Sequence, residues 1–223
     1  MSEFNWVGFL LVMAGWMFSL CFHEFAHALV AYHGGDTSVR DKGYLTFNPA
    51  RYTNLVDSLV WPLVFFLMGG LALPGGAVYI NRAALRGRGW DAAVSLAGPL
   101  ANFLLLLILL VPFWLGLVDL GKPTILWAAY GYVCVLQIMV TLFNLVPMPP
   151  LDGFGVISAF WDPLTRARAY AMSSFTFMIL LVLLWSDTVV SKAFWYAVLW
   201  ASHTLGVPLE LASMGRGMMP HPF

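Results

Sequence analysis

Residues 5 to 32 form an apolar run long enough to cross a bilayer, and its second half carries His23-Glu24-Phe25-Ala26-His27. A segment that spans a membrane must pair its own backbone polar groups, so this run is committed to a helix. On a helix turning about 100° per residue, His27 stands about 40° around from His23 and one turn further along, so both imidazoles reach one tetrahedral zinc ion. Glu24 falls about 60° beyond His27, flanking the metal without ligating it. That is the station of a general base. Cys21 lies about 200° around from His23 and is not counted as a ligand. Ionisable side chains inside membrane spans are rare and default to a functional reading. A hydrogen-bonded polar cluster joining helices is the bland alternative, and it does not account for the spacing.

The rest of the chain suits the same solvent. Of 223 residues, 61% are hydrophobic and 10% charged, too little polar surface for a water-soluble globule of this size. Eleven dispersed Lys and Arg with a formal net charge of zero point to no nucleic-acid partner. Cys21 and Cys134 both lie in apolar segments and read as packed free thiols. No Lys or Arg precedes Arg40 and no small-residue cleavage site precedes the His-Glu motif, so the first run reads as a retained span and not a signal peptide. No internal repeat and no room for an inserted soluble module is evident.

Apolar segments run over about 5 to 32, 55 to 74, 91 to 117, 124 to 147, 169 to 186 and 189 to 208, most of them near the ~20 residues that span ~30 Å of hydrocarbon. Hydropathy alone gives six crossings, and the metal chemistry disagrees. Zinc needs at least one more protein ligand, and the best candidate is Asp152, in the stretch Asn144 to Gly153 after the fourth segment. If 55 to 74 crossed fully, Asp152 and the histidines would lie towards opposite faces. Pro62, Gly69-Gly70 and Pro74-Gly75-Gly76 break up that segment, as suits a dip that enters and returns. Charge gives a separate check. With a re-entrant 55 to 74 and the N-terminus outside, Arg40, Lys42, Arg51, Arg82, Arg86, Arg88, Arg166, Arg168 and Arg216 are internal, leaving Lys122 and Lys192 outside. Under six crossings that bias disappears. The expected fold is therefore an all-α polytopic membrane protein with five full transmembrane helices plus a re-entrant segment, 55 to 74. Residues 36 to 48 and 76 to 80, with their β-branched and aromatic residues, suit short β-strands near the active site.

His23-Glu24-Phe25-Ala26-His27, Ala97-Gly98-Pro99-Leu100-Ala101-Asn102 and Asn144 through Leu151-Asp152-Gly153, in that order on separate spans, resemble the site-2 protease family of intramembrane zinc metalloproteases. The likeness is closest to the compact prokaryotic branch that lacks an inserted peptide-binding domain. It covers about residues 5 to 160 of a single domain, 1 to 223, with extra C-terminal helices at about 169 to 208. The resemblance implies one zinc per chain held by His23, His27 and Asp152, with Glu24 as acid and base. It also implies cleavage of a transmembrane protein substrate within or near its helix, in a prokaryotic inner membrane, and the charge count above puts the active site towards the cytoplasm. It maps the family's Gly-x-x-x-Asn element onto Gly98 and Asn102. Asn102 then either hydrogen-bonds the substrate backbone or a developing oxyanion, or makes an interhelical hydrogen bond. Asn144 either braces the Asp152 loop or touches substrate.

Three other readings fit the residues less well. A metal transporter or sensor would need ionisable residues spread through the bilayer depth, and beyond the motif the spans offer mainly His203. A catalytically dead scaffold of the same fold is hard to square with an intact Glu24. A metalloprotease with Glu as third ligand would have only Glu210 after the motif. Asp57 and Asp91 read as carboxylates at helix starts, and Met214 to Phe223 as a loose tail.

Overall fold

The computed structural model describes residues 5–48, 51 and 78–219. Among these the protein is helical throughout, with no strand. Helix α1 (Trp6–Gly34) starts where the Asn5 side chain accepts from the Gly8 amide at 2.9 Å, and stops at Gly35, whose φ of 123° a side chain would resist. A single turn, α2 (Ser38–Asp41), follows. Helix α3 (Arg88–Trp114) holds Pro99 and Pro112 in its interior. Helix α4 (Ile125–Asn144) is capped by Thr124, whose hydroxyl accepts from the Trp127 amide. Then come α5 (Asp152–Ser158), α6 (Pro163–Ala171), α7 (Ser173–Trp185), α8 (Val189–Thr204) and α9 (Leu209–Arg216).

Among the described residues, three helices, α1, α3 and α4, are long and apolar enough to cross a membrane, and α6 with α7 passes the same test as one span bent by 55°. At 16 residues, α8 reaches about 24 Å, short of the ~30 Å hydrocarbon thickness. The protein is thus a helical membrane protein. The segment 55 to 74, expected to be re-entrant, lies outside the described residues.

Helices α1, α3 and α4 pack against one another around Val12, Trp16, Leu106, Leu110, Leu136 and Phe143. Away from this seam α3 presents Leu100, Leu104, Ile108 and Val111 to the surroundings, a stripe of helical period facing lipid. Since lipid is as apolar as leucine, helices in a bilayer associate through close backbone approach at small residues. Helix α9 does so: Gly215 lies against Ala128 of α4, and Gly131 of α4 against Leu211 and Ala212. The stretch from Met214 is accordingly no loose tail as far as Met219, which is buried; residues 220–223 lie outside the described set.

The expected strand over 36 to 48 is absent. Asp36 accepts from the Ser38 amide at 3.1 Å and from its hydroxyl at 2.6 Å, setting a turn that starts α2. Gly43, at φ 74°, then reverses the chain so that the Tyr44 amide reaches the Val39 carbonyl. Turn chemistry overrides the β-branched and aromatic composition. Of the second expected strand, 78 to 80 are described and carry no regular structure.

Candidate metal centre

His23 and His27 sit one turn apart on the buried face of α1, and Asp152 is the first residue of α5. The sequence separates them by 125 positions and the fold brings them together. The two Nε2 atoms are 3.0 Å apart. Asp152 Oδ2 lies 3.2 Å from His23 Nε2, and Oδ1 lies 3.4 Å from His27 Nε2. Two ligand atoms about 2.05 Å from a tetrahedral zinc stand about 3.3 Å apart, and each of these three approaches is close to that separation.

Three further features fit a metal. His27 Nδ1 lies 2.6 Å from the Val94 carbonyl, which only accepts, so Nδ1 carries the proton and Nε2 keeps its lone pair for a cation. A β-carbon on Gly98 would strike the Nε2 atoms of both histidines, so the face of α3 opposite the motif is bare where an ion belongs. Two imidazole nitrogens and one carboxylate oxygen, leaving a fourth position open, are the donor set of a catalytic zinc site. Among the described residues this is the group of His, Cys, Asp and Glu side chains able to hold a metal ion. His23 Nδ1 is buried and has no hydrogen-bond partner among them.

The loop between α4 and α5 delivers Asp152. Gly153 lies against the Leu145 and Val146 carbonyls, where a β-carbon would collide. The Thr176 hydroxyl of α7 donates to the Pro149 carbonyl at 2.6 Å.

Glu24 is buried beside these three side chains without belonging to their cluster, and its Oε2 accepts from the Val78 amide at 3.0 Å. Val78 belongs to a non-helical strip that is tied down again where the Tyr79 carbonyl accepts from Lys42 Nζ at 2.8 Å and the Asn81 amide donates to Asp36 Oδ2 at 2.6 Å. His23, Glu24, His27 and Asp152 all open into one cavity of ≈ 380 Å³ whose wall includes Val78 and Ile80.

Asn102 and Asn144 part company. Asn144 lines the cavity, and its Nδ2 is buried without a partner among the described residues. Asn102 does not line it. Its Oδ1 is 3.4 Å from the Ser19 hydroxyl, which donates to Gln137 Oε1 at 2.7 Å, a polar knot joining α1, α3 and α4. Sequence reasoning missed this knot, and it missed the anchoring of the 78 to 81 strip by Asp36 and Lys42. A polar residue within each of three apolar runs was the available signal for the knot.

A polytopic helical protein with two histidines and an aspartate at tetrahedral spacing, and a buried glutamate beside them, defines the class of membrane metalloproteases. The comparisons agree. Over 215 residues the chain is 37% identical to "Putative zinc metalloprotease Rip2" of Mycolicibacterium smegmatis, covering 95% of this chain and 80% of that one. Rip2 of Mycobacterium tuberculosis is 37% identical over 209 residues, covering 93% and 78%. "Putative zinc metalloprotease YwhC" of Bacillus subtilis is 30% identical over 175 residues, covering 74% and 75%. No protein-family model and no solved structure matches the chain significantly. The chain belongs to this compact, site-2 protease-like family of zinc metalloproteases, and its cofactor is zinc.

Proposed function

We propose that the protein hydrolyses peptide bonds of membrane-protein substrates within or near a transmembrane helix, with His23, His27 and Asp152 holding zinc and Glu24 moving the proton. The observation that carries this reading is the meeting of His23, His27 and Asp152 at 3.0 to 3.4 Å in a cavity that Glu24 also lines. The two histidines lie on a helix long and apolar enough to cross the membrane.

Bound there, zinc supplies Lewis acidity, which lowers the pKa of water from about 15.7 towards about 7 and polarises a peptide carbonyl. Glu24 takes the proton of the attacking water and delivers it to the leaving amine. The Val78 amide occupies Oε2, leaving Oε1 for this work. Asn144 Nδ2 suits a substrate carbonyl. Asn102 remains a candidate for holding substrate backbone, with its contact to Ser19 favouring an interhelical role.

The topology belongs to the same proposal: five full crossings with 55 to 74 re-entrant, in a prokaryotic inner membrane, and the centre facing the cytoplasm. The nearness of Asp152 to the histidines supports it, because an even number of crossings must separate ligands that share a face. A substrate helix has to unwind before its carbonyls can be reached, since they are hydrogen-bonded within the helix.

The first experiment is the zinc content of the detergent-purified protein beside His23→Ala and Asp152→Ala. About one zinc per chain, lost in both variants, upholds the ligand set. Zinc retained without Asp152 moves the third ligand elsewhere and reopens the topology. No zinc in the wild type sinks the reading.

A further inference from the structure

Asp91 is a buried carboxylate in the first turn of α3, and two guanidiniums from distant segments meet on it. Arg82 Nη1 bonds Oδ1, and Arg166 Nη1 bonds Oδ2. Arg166 adds a second contact, Nη2 to Oδ1 at 3.3 Å, making its grip bidentate. Arg82 also donates to the Ser95 hydroxyl at 3.2 Å, one turn along the same helix.

Each arginine leads to a different part of the metal centre. Arg82 ends the strip that begins at Val78, whose amide holds Glu24. Arg166 lies on α6 and stacks over the Tyr170 ring at 5.7 Å from its centroid. Tyr170 in turn packs edge-on against Phe154 at 5.1 Å, two residues after Asp152 on α5. Ser95 closes the assembly from the other side, touching Gly155 of α5 so closely that a β-carbon there would strike its hydroxyl.

We propose that Asp91 is a positioning residue for the metal centre, clasping through Arg82 the strip that orients Glu24 and through Arg166 the helix pair that presents Asp152. The proposal rests on the metalloprotease reading of that centre. A carboxylate buried this deeply costs solvation and is retained where its partners repay it. Here the partners come from segments with little regular structure of their own. Residues 78 to 81 have no regular structure and lead into a single 3-10 turn, Arg82–Ala84, and α5 is seven residues long.

The two arms make separable predictions, tested on the full chain in detergent. Zinc affinity is read by competition with a chromophoric chelator, and protection of residues 78 to 84 by hydrogen exchange. Arg166→Met should weaken zinc binding about tenfold, as loss of an outer support to a ligand does. Arg82→Met should weaken zinc binding clearly less than Arg166→Met does and raise exchange in the 78 to 84 peptide, because its main arm serves Glu24 and it reaches α5 only through Ser95. Asp91→Asn should do both, and Asp91→Glu should recover part of each. A clasp that served only general stability would lower the unfolding temperature in all variants without this division. The proposal is overturned if folded Asp91→Asn binds zinc as tightly as wild type, or if the two arginine variants behave alike. Failure of the wild type itself to bind zinc would instead count against the metalloprotease reading.

Discussion

Gly98 of α3 lies so close to His23 of α1 that a β-carbon on it would overlap the Nε2 atom, and the same β-carbon would meet His27 Nε2. The space for the ion is therefore made by a missing side chain on the opposing helix. Alanine is a better helix former than glycine by about 1 kcal/mol, so Gly98→Ala should favour α3 itself. Overpacking a filled interior costs about 1–3 kcal/mol. The clash is expected to win, lowering the unfolding temperature and weakening zinc binding at least about tenfold, read by metal analysis after dialysis against a mild chelator. A variant that keeps its zinc would mean the imidazoles do not need that cradle.

Val78 offers Glu24 a backbone donor at 3.0 Å. Val78→Pro removes the N–H while Val78→Ala keeps it. A hydrogen bond to a charged group is worth about 1.5–3 kcal/mol, so the proline variant should lose roughly tenfold to a hundredfold in kcat, with zinc content unchanged. The alanine variant should stay near wild type. Equal activity in the two would show that Glu24 is oriented by something other than this amide.

Helical periodicity made the His23, Glu24 and His27 arrangement legible, because spacing on one helix converts directly into angles. Asp152 was reachable from the need for one more protein ligand and from the Asn144 to Gly153 stretch that follows the fourth apolar segment. The Arg82, Asp91 and Arg166 clasp was not, since its members sit on segments whose meeting depends on tertiary path. Asp91 was placed correctly at a helix start, without its partners. The strand expected over 36 to 48 failed for a local reason: Thr37, Val39, Tyr44, Thr46 and Phe47 suit a sheet, yet Asp36 and Gly43 direct the backbone into turns. Asn144 shows a finer limit, because sequence says that an amide precedes the loop and only the fold says that the residue lines the cavity.

The Ser19, Asn102 and Gln137 knot separates two roles for Asn102. Buried interhelical hydrogen bonds in membrane proteins are worth about 0.6 kcal/mol on average and up to about 1.7, because the inserted but unpacked helices also find partners. Ser19→Ala and Asn102→Ala should each cost that much in stability, measured by denaturation in mixed micelles. If Asn102 also binds substrate, Asn102→Ala will lose more than about tenfold in kcat/KM while Ser19→Ala does not. Matching losses in the two would assign Asn102 to packing.

Glu24 and Asp152 are both carboxylates beside the imidazole pair, and replacing each by its amide should have opposite signatures. In Glu24→Gln the side-chain carbonyl still accepts from the Val78 amide, so the residue keeps its place and loses only the capacity to take a proton. General-base catalysis contributes about 10²–10⁴ in rate. Cleavage of a model transmembrane peptide should fall by at least about a hundredfold, with zinc retained. In Asp152→Asn the anionic side chain becomes neutral while the histidines keep their geometry, and if Asp152 holds the metal as proposed, zinc binding itself should weaken sharply. Measuring metal content and single-turnover cleavage on the same preparations tells the roles apart. Loss of zinc from Glu24→Gln would make Glu24 a ligand, and full activity in Asp152→Asn would remove Asp152 from the centre.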